Sequence, residues 1–130
     1  MILDSSAVLA ILFGEPGYEV FRDAIKGSAT RSVSAATFVE ISIVAEARSG
    51  DAGIRQREAL FRSAQIGIQV VTEEQAYVAS QAFSLFGKGR HPAGLNFGDC
   101  FSYALAKVTG EPLLFKGDDF RKTDVQPALL

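Results

Sequence analysis

Two stretches decide how this chain folds: Ile2-Leu3-Asp4-Ser5-Ser6 at its start and Leu113-Leu114-Phe115-Lys116-Gly117-Asp118-Asp119 near its end. Each is a very short apolar run that stops at residues favouring turns or helix N-caps, the pattern of a buried strand delivering the chain to a sheet edge. Between them, helical and strand-like segments alternate. Ala7 to Phe13 reads as a short helix stopped by Gly14, and Tyr18 to Ile25 sets Tyr18, Phe21 and Ile25 at helical spacing. Arg31 to Ser34 reads as a brief strand. Ala35 to Ala47 holds Phe38, Val39, Ile41, Ile43 and Val44, leaves little polar surface, and predicts a deeply placed helix. Gly50 and Gly53 bracket a break before an amphipathic helix from Ile54 to Ala64. Ile66 to Val71 is β-branched and reads as a strand. Thr72 and Gln75 form a capping box opening a helix that runs to about Phe86. Gly87 to Gly94 is the one long flexible stretch and is locally basic. Asn96 then caps a helix that reaches Val108 and is closed by Gly110. This alternation calls for an α/β fold with a mostly parallel sheet sandwiched between helices, in which ligands bind at the carboxyl ends of the strands.

The 130 residues fit one domain, 1–130, with 48% hydrophobic and 22% charged residues, a balance that excludes intrinsic disorder. Thirteen Lys and Arg against fifteen Asp and Glu give a net charge of −2, so bulk positive charge does not hold a nucleic acid here. A local basic surface or a metal ion would have to do it. One cysteine, Cys100, excludes an internal disulfide framework and suits a reducing cytosol, and a single histidine, His91, leaves no set of zinc ligands. Met-Ile-Leu-Asp does not read as a secretory signal and no window is apolar enough to span a membrane, so the expectation is a cytoplasmic protein with no membrane partner. The chemistry left to it runs on acids and hydroxyls.

Those acids fall at significant places. Asp4 lies just past the first strand, Asp118 and Asp119 just past the last, and Asp99 in the first turn of the helix that precedes the last strand. Glu40 sits among Val39, Ile41, Ile43 and Val44, where a carboxylate is costly unless compensated. Each has an ordinary explanation: Asp4 as a helix cap, Asp99 as a partner of the helix dipole, Asp118 and Asp119 as turn residues. Those explanations do not predict the acids converging on one strand edge, as the proposed sheet requires. Crowded carboxylates repel one another and stay protonated unless a divalent cation neutralises them, and an all-oxygen set selects Mg²⁺ or Mn²⁺. Such an ion activates water and offsets phosphoryl charge, which is what phosphodiester hydrolysis needs.

Asp4-Ser5-Ser6-Ala7, Glu40 in an apolar helix, Leu95-Asn96-Phe97-Gly98-Asp99, and Leu113 through Phe120 together resemble a PIN domain, more narrowly the VapC ribonuclease toxins of VapBC toxin–antitoxin pairs. The likeness covers essentially the whole chain, including the loop from Gly87 to Gly94 and Thr123-Asp124. It implies a PIN-like three-layer α/β/α sandwich and a Mg²⁺-dependent endoribonuclease toxin with Mn²⁺ as possible substitute. Asp4, Glu40 and Asp99 take the principal acidic positions, with Asp4 and Asp99 as the metal ligands. Gly117 stands where many members carry a further Asp, so the fourth acid is Asp119, with Asp118 second. A homodimer and a VapB-type antitoxin that blocks the acidic cleft are also implied. The helices from Ala35 and Ile54 are candidates for the antitoxin groove, through Phe38 and Phe61.

Further residues have two readings each. Ser6 supports the carboxylates or a metal-bound water, or else caps a helix, and Asn96 caps its helix or faces substrate. Lys88, Arg90 and His91 form a basic loop for RNA phosphates or a merely solvated surface. Lys116 pairs with the acids or contacts a phosphate. Cys100 reads as a core residue. Of other classes, a receiver domain would need an acid at Val33-Ser34 or Val71-Thr72, and an aspartyl phosphatase would need one where Ser6 stands. A non-catalytic metal- or nucleic-acid-binding PIN-like module is the remaining alternative.

Overall fold

In the computed structural model, which describes residues 1–130, the pairs Ile2–Leu3 and Leu113–Leu114 form β1 and β4. They run in parallel with Ile2 opposite Leu113 and Leu3 opposite Leu114. Successive strand residues point to opposite faces, so these two pairs feed two separate cores. Ile2 and Leu113 pack with Ala79, Ala82, Tyr103 and Leu105 on one face of the sheet. Leu3 and Leu114 pack with Val8, Ile25, Val33 and Ile41 on the other. The result is the expected α/β/α sandwich.

The helices are α1 (Ser5–Leu12), α2 (Tyr18–Gly27), α3 (Ala35–Ser63), α4 (Glu73–Phe86) and α5 (Phe97–Thr109), and the remaining strands are β2 (Ser32–Ser34) and β3 (Gly67–Gln69). All four strands are parallel in the order β3-β2-β1-β4. The last strand pairs beside the first, which brings the residues after β1 and after β4 to the same edge.

Several expectations need correction. α1 begins at Ser5 rather than Ala7, because the Asp4 carboxylate accepts from the Ser6 N–H and caps the helix two residues early. The break between glycines is confined to Gly50 (φ 59°, ψ −142°), and α3 turns back on itself there. Gly53 lies within the second half; a Cβ on it would stand 2.1 Å from the Ala45 carbonyl oxygen, so glycine lets the two halves close. They meet through Phe38 and Phe61, edge to face at 5.3 Å, and through Arg57, which bonds Ser42 at 2.9 Å and covers the Phe38 ring. Phe38 and Phe61, the residues expected to line an antitoxin groove, thus contact each other.

The first half of α3 is also less deep than its composition implies. Thr37, Ile41 and Ala45, four apart, face the sheet, while Val39 and Ile43 on the opposite face are 53% and 62% exposed. Only Gly67–Gln69 of the expected Ile66–Val71 strand finds a partner. β3 is an edge strand, which leaves Val70 and Val71 outside the ladder. The stretch from Gly87 to Gly94 is not a loose loop. Lys88 N–H donates to Leu95 O and Leu95 N–H to Phe86 O, each at 2.9 Å, and Ala93 is wholly buried. No helix is long and apolar enough to cross a membrane.

Candidate active site

Asp4 follows β1 and is 2% exposed, so its carboxylate must find its donors within the protein. Oδ2 accepts from the Ser6 N–H at 3.0 Å and from Ser6 Oγ at 2.6 Å; Oδ1 accepts from Ser102 Oγ at 2.7 Å. Ser102 spends its one proton on Asp4, so Thr37 Oγ1, 3.2 Å away, is the donor to Ser102. Ser6 Oγ in turn accepts from the Lys116 N–H at 3.0 Å, joining β1's exit to β4's exit. Ser6 thus supports the Asp4 carboxylate directly, and Asp4 caps α1 while keeping its carboxylate at the end of β1.

Asp99 is delivered by the first turn of α5. Asn96 Oδ1 accepts from the Asp99 N–H at 2.9 Å, and Asp99 Oδ2 accepts from the Asn96 N–H at 3.0 Å, a complete capping box. Burial pushes the Asp99 carboxyl up to about 6 against the bond from Asn96, and the negative charges of Asp4, Glu40 and Asp119 push the same way. Glu40 comes from α3. Burial is the main cause of its raised pKa, Asp4 adds to it, and a hydrogen bond with the Ser5 side chain acts in the opposite sense. Asp99 therefore lies in the field of Asp4, Glu40 and Asp119, and Glu40 in that of Asp4, at the sheet edge. Asp119, at the head of the short turn Phe120–Lys122, is the acid after β4 that acts on Asp99; Asp118 is not among the charges that do. Phe120, buried against Phe115 with ring centroids 5.3 Å apart, anchors that turn.

The donor set fits a hard divalent ion. Asp4 Oδ1 takes one internal hydrogen bond and Asp99 Oδ1 takes none, so each keeps lone pairs for a cation. Burial first, and neighbouring negative charge second, disfavour the ionised forms of Asp99 and Glu40, which a cation would offset. No three of the acids form a ready-made coordination cage, so the fit rests on the lone pairs of the two aspartates.

Other expected residues sit further out. Lys116 Nζ is 2.5 Å from Glu15 Oε1 and pairs there rather than with the four acids. His91 Nδ1 accepts from the Ala93 N–H at 3.0 Å, and its ring stands edge-on to Phe86 at 5.1 Å, so it braces its own turn. Arg90 lies over the Phe83 ring at 5.7 Å, and Lys88 is exposed. Cys100 is buried, its thiol raised to about 11 by burial and by Asp99. Sequence reasoning missed Ser5, Thr37 and Ser102. A signal existed for two of them: Thr37 is three residues before Glu40 and Ser102 three after Asp99, on the same helix faces as the acids.

A four-stranded parallel sheet between helices, with carboxylates meeting past β1 and β4, defines a class. The chain belongs to the PIN-domain family, whose pattern matches residues 1–126. Within that family its relatives are VapC ribonucleases. It is 48% identical over 125 residues to Ribonuclease VapC of Mycolicibacterium smegmatis, covering 96% of this chain and 97% of that one. It is 45% identical over 130 residues to Ribonuclease VapC30 of Mycobacterium tuberculosis, covering 100% and 99%. A similar fold occurs in the crystal structure of VapBC2 from Rickettsia felis bound to a DNA fragment from its promoter, with a TM-score of 0.75 at 9% identity over 97% of this chain and 94% of that one. The chain accordingly belongs with the VapC ribonucleases, a kind that works with a divalent metal.

Proposed function

We propose that the chain hydrolyses RNA phosphodiester bonds with Mg²⁺, for which Mn²⁺ substitutes, and that Asp4, Glu40, Asp99 and Asp119 carry the reaction. The observation that supports this most is the Glu40 carboxylate lying against Gly98, next to Asp99, with Asp99 in the field of Asp4, Glu40 and Asp119. Asp4 and Asp99 would hold the ion through the lone pairs that their internal hydrogen bonds leave over. Bound there, a divalent ion offsets the acids' charge and that of the phosphate and makes water a stronger acid. Ser6 and Ser102 keep the Asp4 carboxylate in one orientation. Glu40, whose proton affinity burial raises, takes a proton from the attacking water. Asp119 completes the negative rim. With water as nucleophile, the products carry a 5′-phosphate and a 3′-hydroxyl. Lys88 and Arg90 are the exposed cations offered to RNA phosphates, so binding weakens with added salt.

The partner is a VapB-type antitoxin that covers the acidic cleft; cognate VapB added to the chain should suppress RNA cleavage. A homodimer is supported by the apolar side chains a monomer leaves bare, Val39, Ile43 and Phe97. Replacing Ile43 by Glu should shift the chain to monomer in light scattering if that face is the interface. The central test compares wild type with Asp4→Asn and Asp99→Asn on total RNA, in Mg²⁺ and in excess chelator. Cleavage by both variants at the wild-type rate would overturn the assignment, as would cleavage that ignores the chelator.

A further inference from the structure

Gly98 is the second residue of α5, a helical position in the first turn where glycine costs conformational entropy relative to alanine. Its φ is negative, so the backbone does not call for glycine. Space does. A Cβ on Gly98 would stand 2.7 Å from Glu40 Oε2 and 3.0 Å from both Cδ and Oε1 of the same carboxylate. The three nearest atoms all belong to the end of one side chain, carried by a different helix.

Other glycines show how particular this is. At Gly53 and Gly87 a Cβ would strike a backbone carbonyl oxygen, of Ala45 at 2.1 Å and of Phe83 at 2.3 Å, so those glycines serve the path of the chain. At Gly27, near the end of α2, a Cβ would meet nothing within 4 Å. Only at Gly98 is the would-be neighbour a carboxylate.

We infer that Gly98 is a positioning residue: its missing side chain is a notch in the first turn of α5 that seats the Glu40 carboxylate beside Asp99 and Asp4. The notch lets a second acid approach a helix start already occupied by Asp99, where the unpaired N–H groups of the first turn favour negative charge. A methyl group there displaces the tip of a flexible side chain rather than a wall of the core. Glu40 swings out of the site and the fold stays intact. The inference rests on the assignment of Glu40 to the site proposed above.

The test uses the full chain with Gly98→Ala, Gly27→Ala as a control, and Gly98→Ala placed in a Glu40→Asp background, where the carboxylate is withdrawn by one methylene. Cleavage of a defined RNA, Mg²⁺ affinity by titration calorimetry, and the melting temperature are measured for each. Gly98→Ala should lower kcat/KM about 100-fold, the scale of an ångström-sized misplacement at a reacting centre. It should also weaken Mg²⁺ binding while melting at or above the wild-type temperature, because alanine outranks glycine within a helix. Gly27→Ala should match wild type throughout. In the Glu40→Asp background the same glycine substitution should cost less than about threefold, the non-additivity of two groups in contact. Wild-type cleavage and Mg²⁺ affinity in Gly98→Ala would overturn the inference. So would an equal loss in both backgrounds, since the methyl would then be colliding with something other than the Glu40 carboxylate. A Glu40→Gln variant that keeps full cleavage and Mg²⁺ affinity would instead remove Glu40 from the site, a failure of the underlying assignment that the first two outcomes do not mimic.

Discussion

The two ends of α5 treat an aspartate in opposite ways. Near its C-terminus, Asp124 receives the Tyr103 hydroxyl at 2.6 Å and the Lys107 ammonium at 3.2 Å. Partial burial works to raise the Asp124 pKa, yet those two donors outweigh it and hold the carboxyl below the ordinary range. Lys107 also lies in the last turn, where a cation suits the helix dipole. Near the N-terminus, Asp99 has its bond from Asn96 and otherwise faces three more acids. One end is a completed clasp for the C-terminal segment. The other carries excess negative charge that nothing in the chain neutralises. An aspartate needed only as a cap would not be held among Asp4, Glu40 and Asp119, so the asymmetry supports placing the proposed site at the N-terminal end.

The contrast is sharpest in activity. Asp99→Asn should reduce RNA cleavage by well over about 100-fold, since altering even an outer partner of a metal ligand commonly costs 10–100-fold. Asp124→Asn should leave cleavage near wild type; if both substitutions abolish it equally, the two ends are not functionally distinct. Ser102→Ala should come next, with an effect of about 10–100-fold on Mg²⁺ affinity, because Asp4 Oδ1 loses the donor that orients it. Calorimetry showing unchanged affinity would reduce Ser102 to a packing residue.

The pH dependence of stability should have opposite signs at the two ends. The Asp99 carboxyl titrates near 3.8 when unperturbed and about 6 in the fold, so the folded state binds the proton more tightly. In chelator, its contribution therefore falls as pH rises from about 4 to 6 and the penalty is complete above that, at most about 3 kcal/mol. Thermal melts should show wild type losing ground to Asp99→Asn across this interval, and saturating Mg²⁺ should erase the difference. Parallel melting curves would contradict the crowding. Asp124, with its pKa lowered, stabilises at neutral pH and loses that contribution as pH falls through the carboxylate range. Because the Lys107–Asp124 pair is largely exposed, Asp124→Asn should cost no more than about 1 kcal/mol at pH 7. Chemical denaturation at pH 7 and pH 3 checks both the size and the sign.

Much of this was readable from one chain. Strand–helix alternation led to the parallel sheet, and the acids stood out because each followed a strand, opened a helix or sat in apolar company. The misreadings share one cause. The apolar run of α3 says that the helix has buried surface but not how much of its circumference a neighbour covers, so Val39 and Ile43 looked internal. The glycines at 50 and 53 mark a break without saying that the halves fold back and close on Phe38 and Phe61. The basic segment after α4 looked loose because its anchors, Leu95 and Phe86, are main-chain partners that composition does not reveal. Lys116 looked available to the acids because Glu15 lies 101 residues away along the chain.

What the sequence by itself determined is local: where β1 stops, which residues cap α4 and α5, and that Asp4, Glu40, Asp99 and Asp119 are the acids to account for. Capping, periodicity and the cost of an acid among apolar neighbours act over a few residues, so they are written in order along the chain. Only the tertiary structure decided which hydroxyls hold Asp4, that Lys116 answers to Glu15, that Asp119 rather than Asp118 acts on Asp99, and that a bare glycine on α5 faces Glu40. Those facts depend on distances between segments far apart in sequence, and packing the sheet's two faces is what sets such distances.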